Sequence, residues 1–247
     1  MIPITLNRSN ILQWIYFGLL EAWRVLVAVV TGRGFRVNDV ARHVERHTTA
    51  GDCDAILKSM DEFAQANRFL MNVGDEKGDI LKDAMDKTQA TRVLELGAYC
   101  GYSAVLMGKD LKTRGGTLVS LEVSKRNANA TRRVVAHAGL SDVVDVQVGA
   151  ASNLIPNLTE PFDLVFIDHW KDDYLPDLKR LEDNGLVKPG TCIVADNVGI
   201  FSKTLESYLE YVRTAAYLES THYASKMEYN DSIEDGVEVS FYRALPA

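Results

Sequence analysis

Arg92-Val93-Leu94-Glu95-Leu96, followed by Gly97-Ala98-Tyr99-Cys100-Gly101-Tyr102-Ser103, reads as a short apolar strand that stops at a glycine and gives way to a helix. Gly97 permits a tight turn and close backbone approach by a ligand, and Ser103 can cap the helix that follows. The glycine spacing is not G-x-G-x-x-G and offers no second glycine to a pyrophosphate, which argues against a nicotinamide dinucleotide. About 20 residues after Gly101 a second apolar run ends in Glu122, where an acidic side chain would reach ribose hydroxyls. A nucleoside cofactor is therefore expected at Gly97 and Glu122.

Working outward, strands are expected at Arg92–Leu96, Thr117–Glu122, Val143–Val148, Leu164–Ile167 and Cys192–Ala195. Each is short, rich in Val, Leu and Ile and not alternating, as strands buried on both faces of a parallel sheet are. Helical stretches fall between them, at Ala104–Leu111, Lys125–Ala138, Tyr174–Leu181 and Leu205–Ala215, with earlier helical periodicity around Ile56–Ala64 and Ile80–Met85. Thr221–Met227 and Val237–Arg243 read as an antiparallel pair joined by a polar loop, Asn230–Gly236. The expectation is a doubly wound, mostly parallel α/β sheet with an antiparallel C-terminal strand pair, which binds ligands beyond the carboxyl ends of its strands.

Two of those ends carry chemistry. Leu164–Ile167 delivers Asp168-His169-Trp170-Lys171, and Cys192–Ala195 delivers Asp196-Asn197. Asp168, Asp196 and Asn197 would offer three hard oxygen ligands, suited to Mg²⁺ with its remaining octahedral positions open. For either aspartate alone, helix capping is the plainer explanation; for three converging oxygens it is not. Lys171, three residues after Asp168, is a candidate general base whose pKa a divalent cation and partial desolvation would lower, although a lone surface lysine is the commoner case. His169 has no second histidine beside it and reads as a cofactor-contacting or packing residue.

A net charge of −7, with no basic block set among aromatics, gives no footprint for nucleic acid. Cys53, Cys100 and Cys192 are too few and too scattered for a disulfide framework and read as reduced thiols. Residues 1–50 form a segment of different character, ahead of a catalytic domain at 51–247. Ile11 to Val30 is almost wholly apolar, but Gln13, Glu21 and Arg24 share one stripe of the helix it would form, which suits an interfacial or membrane-seated helix. Arg33 and Arg36 after it would keep the following domain cytoplasmic. A helix packed on the domain, or used in self-association, is the alternative.

These residues resemble the catechol O-methyltransferase family of class I methyltransferases. The matching segments are Met71-Asn72-Val73-Gly74-Asp75, Glu95 through Ser103, Asp168 through Lys171, Asp196-Asn197-Val198 and Glu228-Tyr229, in order across Met71 to Tyr242. The resemblance implies a seven-stranded sheet and S-adenosylmethionine held by Val73, Glu95, Gly97, Tyr99, Ser103, Glu122, Val123 and Asp168, with Met71 near the reacting sulfonium and Ser152 near the adenine; His169 is the further cofactor-contacting candidate. It implies Mg²⁺ on Asp168, Asp196 and Asn197, and a catechol substrate, catecholamines included, held by Lys171, Asn197, Glu228 and Trp170. Lys171 would take the hydroxyl proton and Glu228 would orient the second hydroxyl. Phe69 stands where the family has a tryptophan, Phe201 where it has a proline, and Ser152 where it has a glutamine. Those changes bear on substrate size and cofactor affinity, not on the metal chemistry. The rival enzyme is a methyltransferase for another vicinal diol, caffeoyl or flavonoid. A catalytically idle, membrane-associated partner protein would show degraded ligands, but Lys171, Glu228 and the three metal ligands all stand.

Overall fold

Strand β1 (Arg92–Leu96) lies at the centre of the sheet, paired in parallel with β2 (Thr117–Glu122) on one side and β4 (Leu164–Ile167) on the other. A computed structural model describes residues 36–66 and 70–246 of the chain. β3 (Val144–Val148) extends the sheet beyond β2, and β5 (Cys192–Ala195) extends it beyond β4. The sheet is closed off by β7 (Asn230–Tyr242), antiparallel to β5, and by β6 (Leu218–Met227), giving the order β3-β2-β1-β4-β5-β7-β6. The chain runs outward from β1 to β3 and then returns to lay β4 against the other side of β1. That reversal opens a crevice between the carboxyl ends of β1 and β4.

Side-chain alternation explains why the parallel strands read as continuous apolar runs. Val93, Leu164, Phe166, Cys192 and Val194 point into one core, shared with α1 (Arg36–His47), α2 (Cys53–Gln65), α3 (Gly74–Thr88), α4 (Tyr102–Arg114) and α5 (Lys125–His137). Leu94, Leu96, Val165, Ile167 and Ile193 point into the other, against α7 (Tyr174–Asp183) and α8 (Glu206–Thr214), with the short α6 (Ala151–Leu154) at its margin. Each strand is thus apolar on both faces, the signature of a covered parallel sheet.

The seven strands are those expected, with adjusted ends: β6 begins at Leu218 and not Thr221, and β7 stops at Tyr242. β3 begins at Val144, and residues 230–236, expected as a loop, are strand. In that stretch Ile233 and Asp235 are buried while Ser232 and Glu234 are exposed, a strand alternation masked by Asn, Asp and Ser, which strands disfavour. The reversal falls instead at Glu228-Tyr229, where Tyr229 takes a left-handed φ of 57°. α1 was not expected. Val37, Val40, Ala41 and Val44 follow one face at helical spacing and are buried in the same core as α2 and α5. Ile11 to Val30 and Phe69 lie outside the described residues; among those described, no helix is long and apolar enough to cross a membrane.

Glu95 on β1 is fully enclosed, with Ser103 Oγ and Ser120 Oγ donating to its two carboxylate oxygens. Burial raises its pKa to about 7, against the smaller opposing effect of the two hydroxyls. The folded chain therefore keeps a proton that the unfolded chain releases near 4.5, so stability falls as pH rises from 4.5 to about 7. Glu95→Gln removes this titration. Thermal melts from about pH 5 to about pH 8 should show the wild type losing up to roughly 3 kcal/mol relative to the variant. A difference between the two that does not change with pH would refute the assignment.

Candidate active site

A cavity of about 500 Å³ occupies the crevice at the carboxyl edge of the sheet, reaching from the ends of β1 and β2 to the ends of β4 and β5. Its first half is built on the Gly97 turn. Gly97 has φ of 100°, and a Cβ there would lie 2.6 Å from the Asp168 carbonyl oxygen, so only glycine lets β1 and β4 end this close together. Glu122 lines this half while fixing the turn: Oε2 accepts from the backbone N–H of Ala98 (3.1 Å) and Tyr99 (2.9 Å), and Oε1 from that of Ser124 (2.8 Å). Val123 and Met71 present largely exposed side chains to the same space, and Tyr99 and Ser152 also line it.

Glu95, Ser103 and Val73 are not on the cavity wall. Glu95 and Ser103 are tied to each other behind the turn, and Val73 is buried at the head of α3. The capping role expected of Ser103 is also not realised. The N-cap of α4 is Gly101, in a left-handed conformation, and the Ser103 hydroxyl serves the buried Glu95 carboxyl, which has the greater need of a donor.

His169 lines the cavity with its ring stacked on Tyr174, centroids 5.3 Å apart. Its Nε2 donates to Asp177 Oδ2 at 2.8 Å, while Asp177 Oδ1 accepts from Arg180 at 2.6 Å. Nδ1 is buried and without a protein partner, open to a polar group of a ligand. Trp170 is half exposed and donates its indole N–H to Asp172.

The other half of the cavity gathers the polar ends of β4 and β5. Lys171 Nζ donates to Asp168 Oδ1 (3.0 Å), Asn197 Oδ1 (2.8 Å) and Tyr174 Oη (2.7 Å), and Tyr174 in turn donates to the Asp196 carbonyl at 3.1 Å. Asp168, Lys171, Asp196, Asn197 and Glu228 all line this end. Asn197 sits at a left-handed φ of 59°, with its side chain between Lys171 and Asp235. Ile200, Phe201 and Met227 form the adjoining apolar wall.

Two residues here escaped the sequence reading. Lys77 on α3, 1% exposed, places Nζ 2.8 Å from Asp196 Oδ1, 2.5 Å from Glu228 Oε1 and 2.5 Å from Asp235 Oδ2. Asp235 also accepts from Asn197 Nδ2 (3.0 Å) and from the backbone N–H of Gly199 (3.1 Å) and Ile200 (3.0 Å). The signal for Lys77 was its place on the buried stripe of α3, in step with Leu81 and Ala84. Burial alone would push its pKa down, but Asp196, Glu228 and Asp235 outweigh burial and hold it well above the ordinary lysine value. Asp196 and Glu228 are pushed up, chiefly by burial and with help from their fellow carboxylates.

The residues fit a divalent cation on two counts. Asp196 Oδ2 is buried and has no hydrogen-bond partner, a costly state that a ligated ion would relieve. Four carboxylates, those of Asp168, Asp196, Glu228 and Asp235, meet only two amines, those of Lys77 and Lys171, so a divalent cation would offset the crowding that pushes Asp196 and Glu228 up. Asp168, Asp196 and Asn197 supply the hard oxygens such an ion takes.

Likeness to known proteins shows the family. A family model described as O-methyltransferase matches residues 47–237. The chain is 40% identical over 215 residues to the catechol O-methyltransferase of Mus musculus, covering 85% of this chain and 80% of that protein. It is also 40% identical over 215 residues to catechol O-methyltransferase B of Danio rerio, with the same coverage of each. Among solved structures, an O-methyltransferase from Bacillus cereus in complex with SAH superposes with a TM-score of 0.65 at 22% identity, over 90% of this chain and 99% of that one, a likeness of fold. The chain belongs to the S-adenosylmethionine-dependent O-methyltransferase family.

Proposed function

We propose that this enzyme transfers the methyl group of S-adenosylmethionine to one hydroxyl of a catechol, with a divalent cation, Mg²⁺ by the chemistry of its donors, held by Asp168, Asp196 and Asn197. The observation that carries this reading is the convergence of those three residues and the Lys171 amine at one end of a cavity whose other end is the Gly97 and Glu122 turn. The relatives named catechol O-methyltransferase in mouse and zebrafish support the choice of diol.

When bound, the cation would acidify the hydroxyls of the diol and orient them. Lys171 is anchored by Tyr174 beside Asp168 and Asn197, and in its neutral form Nζ accepts the proton of the reacting hydroxyl. Glu228, whose Oε1 is held by Lys77, orients the second hydroxyl through its other oxygen. As the oxygen–carbon bond forms, the carbon–sulfur bond breaks with its electron pair passing to sulfur. The sulfonium is a good leaving group, so most of what the protein contributes is alignment and electrostatics. On the cofactor side Gly97, Tyr99, Glu122, Val123, Met71 and Ser152 line the space, and His169 Nδ1 is open to a polar group of the base. The apolar wall of Phe201, Ile200 and Met227, with Trp170 at the rim, suits an aromatic ring. We also propose that the catalytic unit begins at α1, ahead of the residue 51 expected from the sequence, because Val37, Val40, Ala41 and Val44 are packed into its core, and that Ile11 to Val30 seats it on a membrane, leaving it on the cytoplasmic side.

Purified protein given labelled S-adenosylmethionine, catechol and Mg²⁺ should yield methylated diol, and excess chelator should abolish the product. Transfer that survives the chelator would overturn the metal-dependent reading, and turnover restricted to caffeoyl or flavonoid diols would replace the substrate. Lys171→Met should lower kcat about 10²–10⁴-fold while equilibrium binding of S-adenosylmethionine is unchanged; near-normal turnover would remove Lys171 as the base.

A further inference from the structure

Lys77 is more deeply enclosed than any proton-transfer role requires, and it does not line the cavity. What it touches is informative. One oxygen each of Asp196, Glu228 and Asp235 lie within 4.8 Å of one another, an arrangement able to hold a metal ion. The ammonium sits among them at 2.5–2.8 Å, little more than the roughly 2.0–2.6 Å at which Mg²⁺ and Ca²⁺ meet oxygen. Asp196 gives Oδ1 to Lys77 and to the Asn197 backbone N–H, leaving Oδ2 as the oxygen without a partner. Asp235, fixed by the same ammonium, takes the Asn197 amide N–H₂, so that Asn197 Oδ1 faces Asp168 and Lys171.

We propose that Lys77 is a positioning residue for the transfer: a tethered cation that fills the carboxylate cage of Asp196, Glu228 and Asp235, keeps a divalent ion out of it, and so turns Asp196 Oδ2, Asn197 Oδ1 and Glu228 toward the reacting side. This rests on the metal-dependent reading above. No aliphatic side chain could do the same, because it would leave the three carboxylates facing one another and open to any hard cation.

The test uses the full chain and Mn²⁺ as a paramagnetic probe, with free ion counted by electron paramagnetic resonance during titration. Wild type should bind one Mn²⁺ and Lys77→Met should bind one more, in the emptied cage. In the variant kcat/KM should fall about 10–100-fold, through KM for the diol, with binding of S-adenosylmethionine unchanged. A variant that still binds one Mn²⁺ at unchanged KM overturns the proposal and leaves the metal-dependent reading intact. A wild type that binds no Mn²⁺ overturns both. Should Lys77→Met fail to fold, the lysine NH₃⁺ resonances of the ¹⁵N-labelled wild type decide. On saturation with Mg²⁺ the Lys77 signal should stay in place and exchange slowly while that of Lys171 moves; loss or a large shift of the Lys77 signal would show the ion entering the cage and sink the proposal.

Discussion

Four carboxylates meet at one end of a sheet whose interior otherwise excludes water, and the mutual repulsion of buried charge sets what each neighbouring element must supply. α3 brings up Lys77, the turn after β4 brings up Lys171, and the backbone N–H groups of Gly199 and Ile200 point at Asp235. Charges in such a place are tolerated only when paired and hydrogen-bonded on every side, because an uncompensated one costs several kcal/mol. The site is therefore a lattice of mutual constraints, with Asp196 as the member shared between the Lys77 cage and the cavity.

The sheet was legible in the sequence because covered parallel strands have almost no freedom in composition: Leu164–Ile167 and Cys192–Ala195 are apolar at every position and stop where the chain turns polar. The same rule located Asp168, Asp196 and Asn197, since a side chain just past the end of such a strand must open on the crevice. Lys77 and Asp235 were hidden for the opposite reason. Each sits inside a regular element, where a charged residue ordinarily marks a solvent face, and only the partners reached across the fold make it an interior residue. The antiparallel hairpin was cut short for a related reason: its polar inner positions serve charged partners and not an apolar core. Glu95 and Ser103 show a further limit of the sequence, which marks residues beside the turn but not the hydrogen bond that ties these two to each other behind it.

Apart from Gln89 at the end of α3, the left-handed non-glycine residues among those described lie at or beside the cavity. Tyr99, Asn197 and Tyr229 adopt left-handed φ values of 45°, 59° and 57° without being glycine. Conformations of this kind cost of order 1–3 kcal/mol each and persist when their surroundings over-determine them. Glu122 accepts from Tyr99 N, while Thr131 donates to Tyr99 O. Asn197 is fixed by Lys171 and Asp235. The Tyr229 hydroxyl donates to Asp61 and accepts from Asn72. Groups held this way need little reorganisation when a ligand arrives, which is where an enzyme of this class gains most of its rate.

The C-terminal hairpin carries Glu228 and Asp235, which lie 151 and 158 residues from the lysine they clasp. During synthesis the first strands and helices can assemble well before that hairpin exists, and through that interval Lys77 faces a half-built interior with part of its counter-charge missing. Non-local pairing of this kind forms late and slowly. Closing the hairpin over the sheet thus also completes the counter-charge of Lys77, since without it Asp196 is the one carboxylate of the three left beside the ammonium.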